Sequence, residues 1–117
     1  MKIAIPHWQN RISPVFDASK HLSLITVQDG KETAIKQLFL SSCDYWCRAK
    51  TLSHCGVRIV ICGAISHSLE TVLLSAGIQV IGFVCGQVED VTQAFLHGRL
   101  DDAGFRMPGC GRRFQAP

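Results

Sequence analysis

The chain has 117 residues, 47% of them hydrophobic, with 12 Lys and Arg against 9 Asp and Glu. That is one domain's length with ample material for a core, which excludes a disordered chain. The net charge of +3 is too small to argue for nucleic acid, and no apolar run approaches the ~20 residues that span a bilayer.

In chain order, Lys2–Ile5 reads as a short apolar strand ended by Pro6. The opening Met1–Pro6 is too short and too soon interrupted for a signal peptide, so a cytoplasmic location without membrane contact is expected. His7–Pro14 reads as a loop, with Asn10 and Ser13-Pro14 as breakers. Leu22–Val27 is a second strand, Asp29-Gly30 is a strong hairpin signal, and Glu32–Leu40 returns as a third strand. Ser41 or Ser42 caps a helix that runs to about Cys55 and is stopped by Gly56. Val57–Cys62 is a nearly unbroken β-branched run, as in a buried parallel strand. Ser66 caps a helix through Ala76, with Leu69, Val72, Leu73 and Ala76 on one face and Gly77 at its end. Ile78–Val84 is another buried strand. A last helix runs from about Gln87 to His97, with Glu89 and Asp90 in the first turn, where they favour the dipole. Val88, Val91 and Phe95 form its apolar face.

The order β-β-β-α-β-α-β-α, with right-handed parallel crossovers, predicts a ribonuclease H-like α/β fold. Its five-stranded mixed sheet has order 3-2-1-4-5, with the second strand antiparallel to its neighbours and helices covering the sheet. Residues 1–105 read as one domain and 106–117 as a Cys- and Arg-containing tail.

The six cysteines are Cys43, Cys47, Cys55, Cys62, Cys85 and Cys110. A good core and no export signal favour reduced thiols over a disulfide framework. No CxxC pair is present, so a zinc ribbon or thioredoxin-type site is unsupported. Helical phase puts Cys43, Cys47, Lys50 and His54 on one stripe, opposite Tyr45, Ala49 and Leu52. That stripe is a possible metal site with His54 as a further ligand, or a set of incidental surface thiols.

Ligands of open α/β sheets bind beyond the carboxyl ends of parallel strands. Three segments are expected there: His7-Trp8, Cys62-Gly63-Ala64 and Cys85-Gly86. Helix N-termini favour anions, small residues admit a ligand to the backbone, and thiols add soft ligands. Ser13, in the loop after the first strand, belongs to the same rim. Cys62 and Cys85 also read as buried core thiols, Cys62 the more so. Arg99, Arg106, Arg112 and Arg113 make the C-terminal region basic, which suits an anionic partner. Within Met107–Arg113, Cys110 sits between glycines and precedes Arg112 and Arg113, so the tail offers both a ligand and charge.

Several of these segments also carry a resemblance. Met1–Pro6, Arg11–Asp17, Val60–Ser66, Ala76–Ile78, Gly98–Leu100 and Met107–Arg113 together resemble the dinitrogenase iron–molybdenum cofactor biosynthesis family. That group includes the NifX carrier, the C-terminal region of NifB and the orange protein with its molybdenum–copper sulfide cluster. The resemblance implies a ribonuclease H-like fold without nuclease activity, and transient binding of anionic metal–sulfur clusters (iron and/or molybdenum sulfide) passed between donor and acceptor proteins. Direct contacts are expected from Cys110, Cys62, His7 and Cys85, with Trp8, Gly63, Ala64, Gly86, Arg112 and Arg113 around them. Cys43, Cys47 and His54 are the second candidates.

Three rivals remain open. A nuclease of this fold needs a carboxylate on the first strand, and Lys2–Pro6 has none. A cysteine redox enzyme needs a low-pKa thiol near a base, for which Cys47–His54 is the obvious pairing. A ligand-free interaction or regulatory module needs neither.

Overall fold

The computed structural model describes residues 1–40, 44–100 and 103–105. The strands are β1 (Lys2–Trp8), β2 (Arg11–Ile12), β3 (His21–Gln28), β4 (Lys31–Phe39), β5 (Val57–Ile61) and β6 (Gln79–Ile81). The helices are α1 (Tyr45–His54), α2 (His67–Ser75) and α3 (Val88–Leu96), with 3-10 turns at Phe16–Ala18 and Ala103–Phe105. The sheet order is β4-β3-β1-β5-β6, with β2 paired to β1 off that path. β3 is antiparallel to both β1 and β4, while β5 is parallel to β1 and to β6.

The sheet has six strands rather than the expected five, because 7–14 is not a loop. Gln9 and Asn10 take φ of 52° and 67°, a two-residue reversal that folds β2 back on β1. The Asp29-Gly30 hairpin has the same left-handed pair, at 54° and 75°. Gln9 lacks the usual turn chemistry, so only the second reversal was legible. Nor does Pro6 end β1. Registered pairing with β5 stops at Ala4↔Val60, while Pro6 still faces Leu22 of β3. Proline is tolerated where a strand has left the middle of its sheet.

α1 starts at Tyr45 on an Asp44 cap, whose side chain accepts from the Cys47 N–H at 2.8 Å. Ser41 and Ser42, the expected caps, lie outside the described residues. The Ser66 cap of α2 is as expected, accepting from Leu69 N–H at 3.1 Å. The strand expected over 78–84 is shorter, because the chain after Ile81 bends through Phe83 at φ 61°.

Alternation along β1 divides the core. Ala4 joins Leu22, Leu24 and Val60 against Ala49 and Leu52 of α1 and Leu69 and Leu73 of α2. Ile3 and Ile5 join Ile25, Ile59 and Ile61 against Val91 and Ala94 of α3. So α1 and α2 cover one face and α3 the other. α3 does not reach β4, an edge strand exposed at every position but Leu38. No helix among the described residues is long and apolar enough to cross a membrane.

Candidate functional site

The carboxyl ends of β1, β5 and β6 lie together, but residues 10–16 cross over those of β5 and β6. Ile12 N–H donates to Gly86 O at 2.9 Å, and Val88 N–H donates to Asn10 O at 2.9 Å. Ala64 N–H donates to Pro14 O, and Phe16 N–H donates to Ala64 O, both at 2.8 Å. Phe83 N–H closes onto Gly63 O at 2.9 Å. The Ala64, Phe83 and Val88 N–H groups at these strand ends are therefore engaged in pairing loop to loop. Gly63 serves the same closure: a Cβ there would stand 2.5 Å from Ser13 O and 2.7 Å from Pro14 O. Its missing side chain makes room for the chain itself.

The thiols at these strand ends are placed accordingly. Cys62 is 0% exposed and belongs to the α1/α2 core. Cys85 is partly buried under the second 3-10 turn, its N–H donating to Phe105 O at 2.9 Å and its Sγ lying 3.9 Å from Gly104 O. Gly86, at φ 124°, makes the turn into α3. Ser13 is buried, its hydroxyl 3.1 Å from that of Ser19.

The 11–17 motif ends in a polar clamp. Asp17 accepts from Tyr45 O–H at 2.5 Å and from Ser66 N–H at 2.9 Å, which ties the first 3-10 turn to α1 and to the start of α2. Burial pushes the Asp17 carboxyl up, but the hydrogen bonds from Ser66 and Tyr45 outweigh it and hold the group below the usual carboxylate range. Arg48 of α1 is buried beside it, donating to Ser19 O at 2.6 Å, with its guanidinium carbon 5.6 Å from the Phe16 ring centroid. Burial lowers the Arg48 pKa against the opposing pull of Asp17 and Tyr45. Sequence reasoning missed Arg48, since helix arginines normally face water.

The end of β1 next to β3 is different. There Pro6↔Leu22 pairing sets His7 beside His21, with ring centroids 6.4 Å apart. Trp8, 59% exposed, lies 5.6 Å from the His21 ring, and Phe39 of β4 lies 5.1 Å from it on another side. A cavity of about 290 Å³ is lined by His7, Trp8 and His21 with Ser13, Ser19 and Lys20. Lys20 supplies positive charge and the two imidazoles are metal-ligand side chains, and no carboxylate lines it. On the α3 face, His7 also borders a groove of about 540 Å³ between β3–β4 and the first turn of α3. That groove carries Glu32 and Glu89 and no Lys or Arg, so an anion prefers the smaller cavity. His21 and Lys20 were missed in the sequence; antiparallel register between the first two long strands was the available signal.

The α1 stripe is partly as expected. Cys47, Lys50 and His54 are exposed, while Ala49 and Leu52 are buried and Tyr45 partly so. Cys47 is in a disulfide, which corrects the expectation of reduced thiols at this position. Cys55, Cys62 and Cys85 are not disulfide-bonded. Cys43, Cys110, Arg112 and Arg113 lie outside the described residues. Among the described residues no group of three or more His, Cys, Asp or Glu side chains converges as a metal cage.

Comparison with known proteins places this geometry. No curated protein matches the chain. Among solved structures, the apo form of the orange protein from Desulfovibrio gigas is 21% identical, covers 90% of this chain and 94% of its own, and superposes with a TM-score of 0.70. A candidate dinitrogenase from Methanocaldococcus jannaschii is 23% identical over 86% of this chain and 91% of its own, with a TM-score of 0.71. A candidate NifB protein from Thermotoga is 20% identical over 84% and 89%, with a TM-score of 0.67. These likenesses establish a shared fold. A family model described as dinitrogenase iron-molybdenum cofactor matches residues 1–98, and the chain belongs to that family.

Proposed function

We propose that this protein is a carrier, not an enzyme, which binds an anionic metal–sulfur cluster or its precursor and passes it from a donor to an acceptor protein. Family membership supports the cargo class. The observation that carries the site is the cavity at the end of β1, where His7, His21, Trp8 and Lys20 converge on one opening. Imidazoles ligate iron and copper, the lysine neutralises a cluster's charge, and the indole covers its sulfide edges. An open site with few ligands also suits cargo that must leave again; a closed cage of thiolates holds metal too firmly.

The strand order supports reading the fold as ribonuclease H-like. The two-metal nuclease chemistry associated with that arrangement needs carboxylates on the central strand, and β1, Lys-Ile-Ala-Ile-Pro-His-Trp, carries none. Of the thiols, Cys110 in the tail and the partly buried Cys85 are proposed as auxiliary ligands, with Arg112 and Arg113 as counter-charges. Cys62 would need an opening of the core to reach cargo.

The test is anaerobic reconstitution of the full chain with iron sulfide or thiomolybdate, followed by desalting, metal analysis and absorption spectroscopy. Stoichiometric, coloured uptake is expected, lost in His7→Ala and His21→Ala and retained in Cys62→Ala. A deletion after Phe105 measures the tail's share. Absence of uptake by the unaltered chain refutes the carrier reading, and retention in both histidine variants moves the site elsewhere.

A further inference from the structure

The groove on the α3 face is acidic, with aliphatic side chains along it. Glu32 of β4 and Glu89 in the first turn of α3 line it from opposite sides, and no Lys or Arg does. Ile25 of β3 lines it fully buried, while Ile35, its partner in register on β4, is 54% exposed. Open aliphatic surface inside a groove is surface that an occupant can cover. At about 540 Å³ the groove has the size of a ligand pocket.

Residues 106–117 match this groove in charge and begin beside it. They hold Arg106, Arg112 and Arg113, with Met107 and Phe114 and no Asp or Glu. Phe105, just before them, accepts at its carbonyl from Cys85 N–H at 2.9 Å. Gln87 and Val88 line the groove, and chain steps of 3.8 Å put Gln87 within about 8 Å of Cys85. Gln93 lines both the groove and the cavity that Phe105 borders. Fully extended, residues 106–117 reach about 40 Å, longer than the ~30 Å of a strand such as β4. Other cavities suit a cationic chain less. Those beside His54 and at the end of β1 carry Lys50 and Lys20. The one beside Trp46 has a single carboxylate, Asp44, already capping α1. The one that Phe105 borders sets Arg99 against Asp90.

We infer that, in the chain without cargo, residues 106–117 dock back into the groove between β3–β4 and α3, with their arginines against Glu32 and Glu89 and an apolar side chain over Ile35. Attachment at Phe105 keeps this segment at about millimolar local concentration, so contacts too weak to hold a free peptide suffice. Two exposed ion pairs contribute about tenfold together, and the covered isoleucine adds to that. Arg112 and Arg113 are also the counter-charges of the carrier reading above, so cargo in the neighbouring cavity competes with the groove for them. The docking itself does not rest on that reading.

Carbodiimide coupling of the full chain carrying Arg112→Lys or Arg113→Lys reads the contact. The reagent takes up water as it joins an amine and a carboxylate at ion-pair distance into an amide. Expected is a link from the introduced amine to Glu32 or Glu89 within a single chain, located by mass spectrometry and absent in Glu32→Gln with Glu89→Gln. Its yield should fall about tenfold when screening by concentrated salt removes the two ion pairs. In ¹⁵N spectra of the full chain, Arg112→Glu with Arg113→Glu should shift the amides of Ile35, Val88 and Gln93 and leave those of Lys20 and Trp46 in place. No link to either glutamate, links chiefly to Asp44, links across two chains, or groove amides unmoved by the charge reversal overturn the inference. A docked tail in a chain that takes up no cluster leaves the docking intact and refutes the carrier reading alone.

Discussion

The two sides of β1 end differently. Toward β5 and β6, the strand ends bring together a thiol, small residues and a helix start, and the chain then packs its own residues 10–16 across them. Toward β3 and β4, the same strand ends in an imidazole and an indole with His21, Lys20 and Phe39 beside them, and a cavity stays open. Ligand-like composition was stronger on the first side. A rim is a site only if its polar groups still lack partners, and on the first side the backbone has supplied them.

The largest expected effect that separates the two sides is kinetic. If the roof over β5 is closed, alkylation of Cys62 in the native chain waits for an opening of the core. It should then run at least a thousandfold slower than at the partly buried Cys85, corresponding to about 4 kcal/mol of opening free energy. Mass-resolved labelling reads both sites at once, and comparable rates would mean that the roof breathes.

Packing of that roof can be tested next. Gly63→Ala places a methyl against the backbone of Ser13 and Pro14, so a loss of about 3 kcal/mol or more is expected in urea denaturation. Gly77→Ala is the control: it has φ 82° but nothing within 4 Å of a Cβ, so only the conformational cost of about 1 kcal/mol applies. Equal losses would show that the Ser13–Pro14 backbone yields to the added methyl and that the roof is not tightly packed.

A smaller effect comes from the clamp beneath. Asp17→Ala removes acceptors of Tyr45 and Ser66 and should cost about 2 kcal/mol at neutral pH. Because the folded carboxyl is held below its ordinary 3.8, its contribution is fully present above that value and is lost as the pH falls through the folded pKa. The variant's stability should therefore fall less steeply than the native protein's below about pH 4. Parallel acid limbs would remove Asp17 from the account.

Smallest in stability is the open side. His21→Ala and Trp8→Ala should each change unfolding free energy by about 0.5 kcal/mol or less, as for surface positions, while His21→Ala abolishes cargo uptake. A large stability loss in either variant would mark the aromatic group as a structural plug, not a seat.

What the residues determined by themselves is the order of elements and the sheet they make. β-branched runs at 57–62, the Asp29-Gly30 reversal and the Ser66 cap are local signals, each set by steric preference within a few residues. They sufficed for the five-strand path and its mixed directions. The Gln9-Asn10 reversal escaped because Gln9 carries no left-handed preference of its own and the turn is completed by β2 pairing. What only the tertiary structure decided is which polar groups remain unpartnered. Cys62, Gly63 and Ala64 are followed in sequence by a helix start, yet Cys62 pairs with Ile81 and Val84, Gly63 with Phe83, and Ala64 with Pro14 and Phe16. His21 and Gln37 are unremarkable in sequence and become neighbours of His7 through register across three strands. Hydrogen-bond saturation and side-chain convergence depend on contacts far apart along the chain, and no local pattern encodes them.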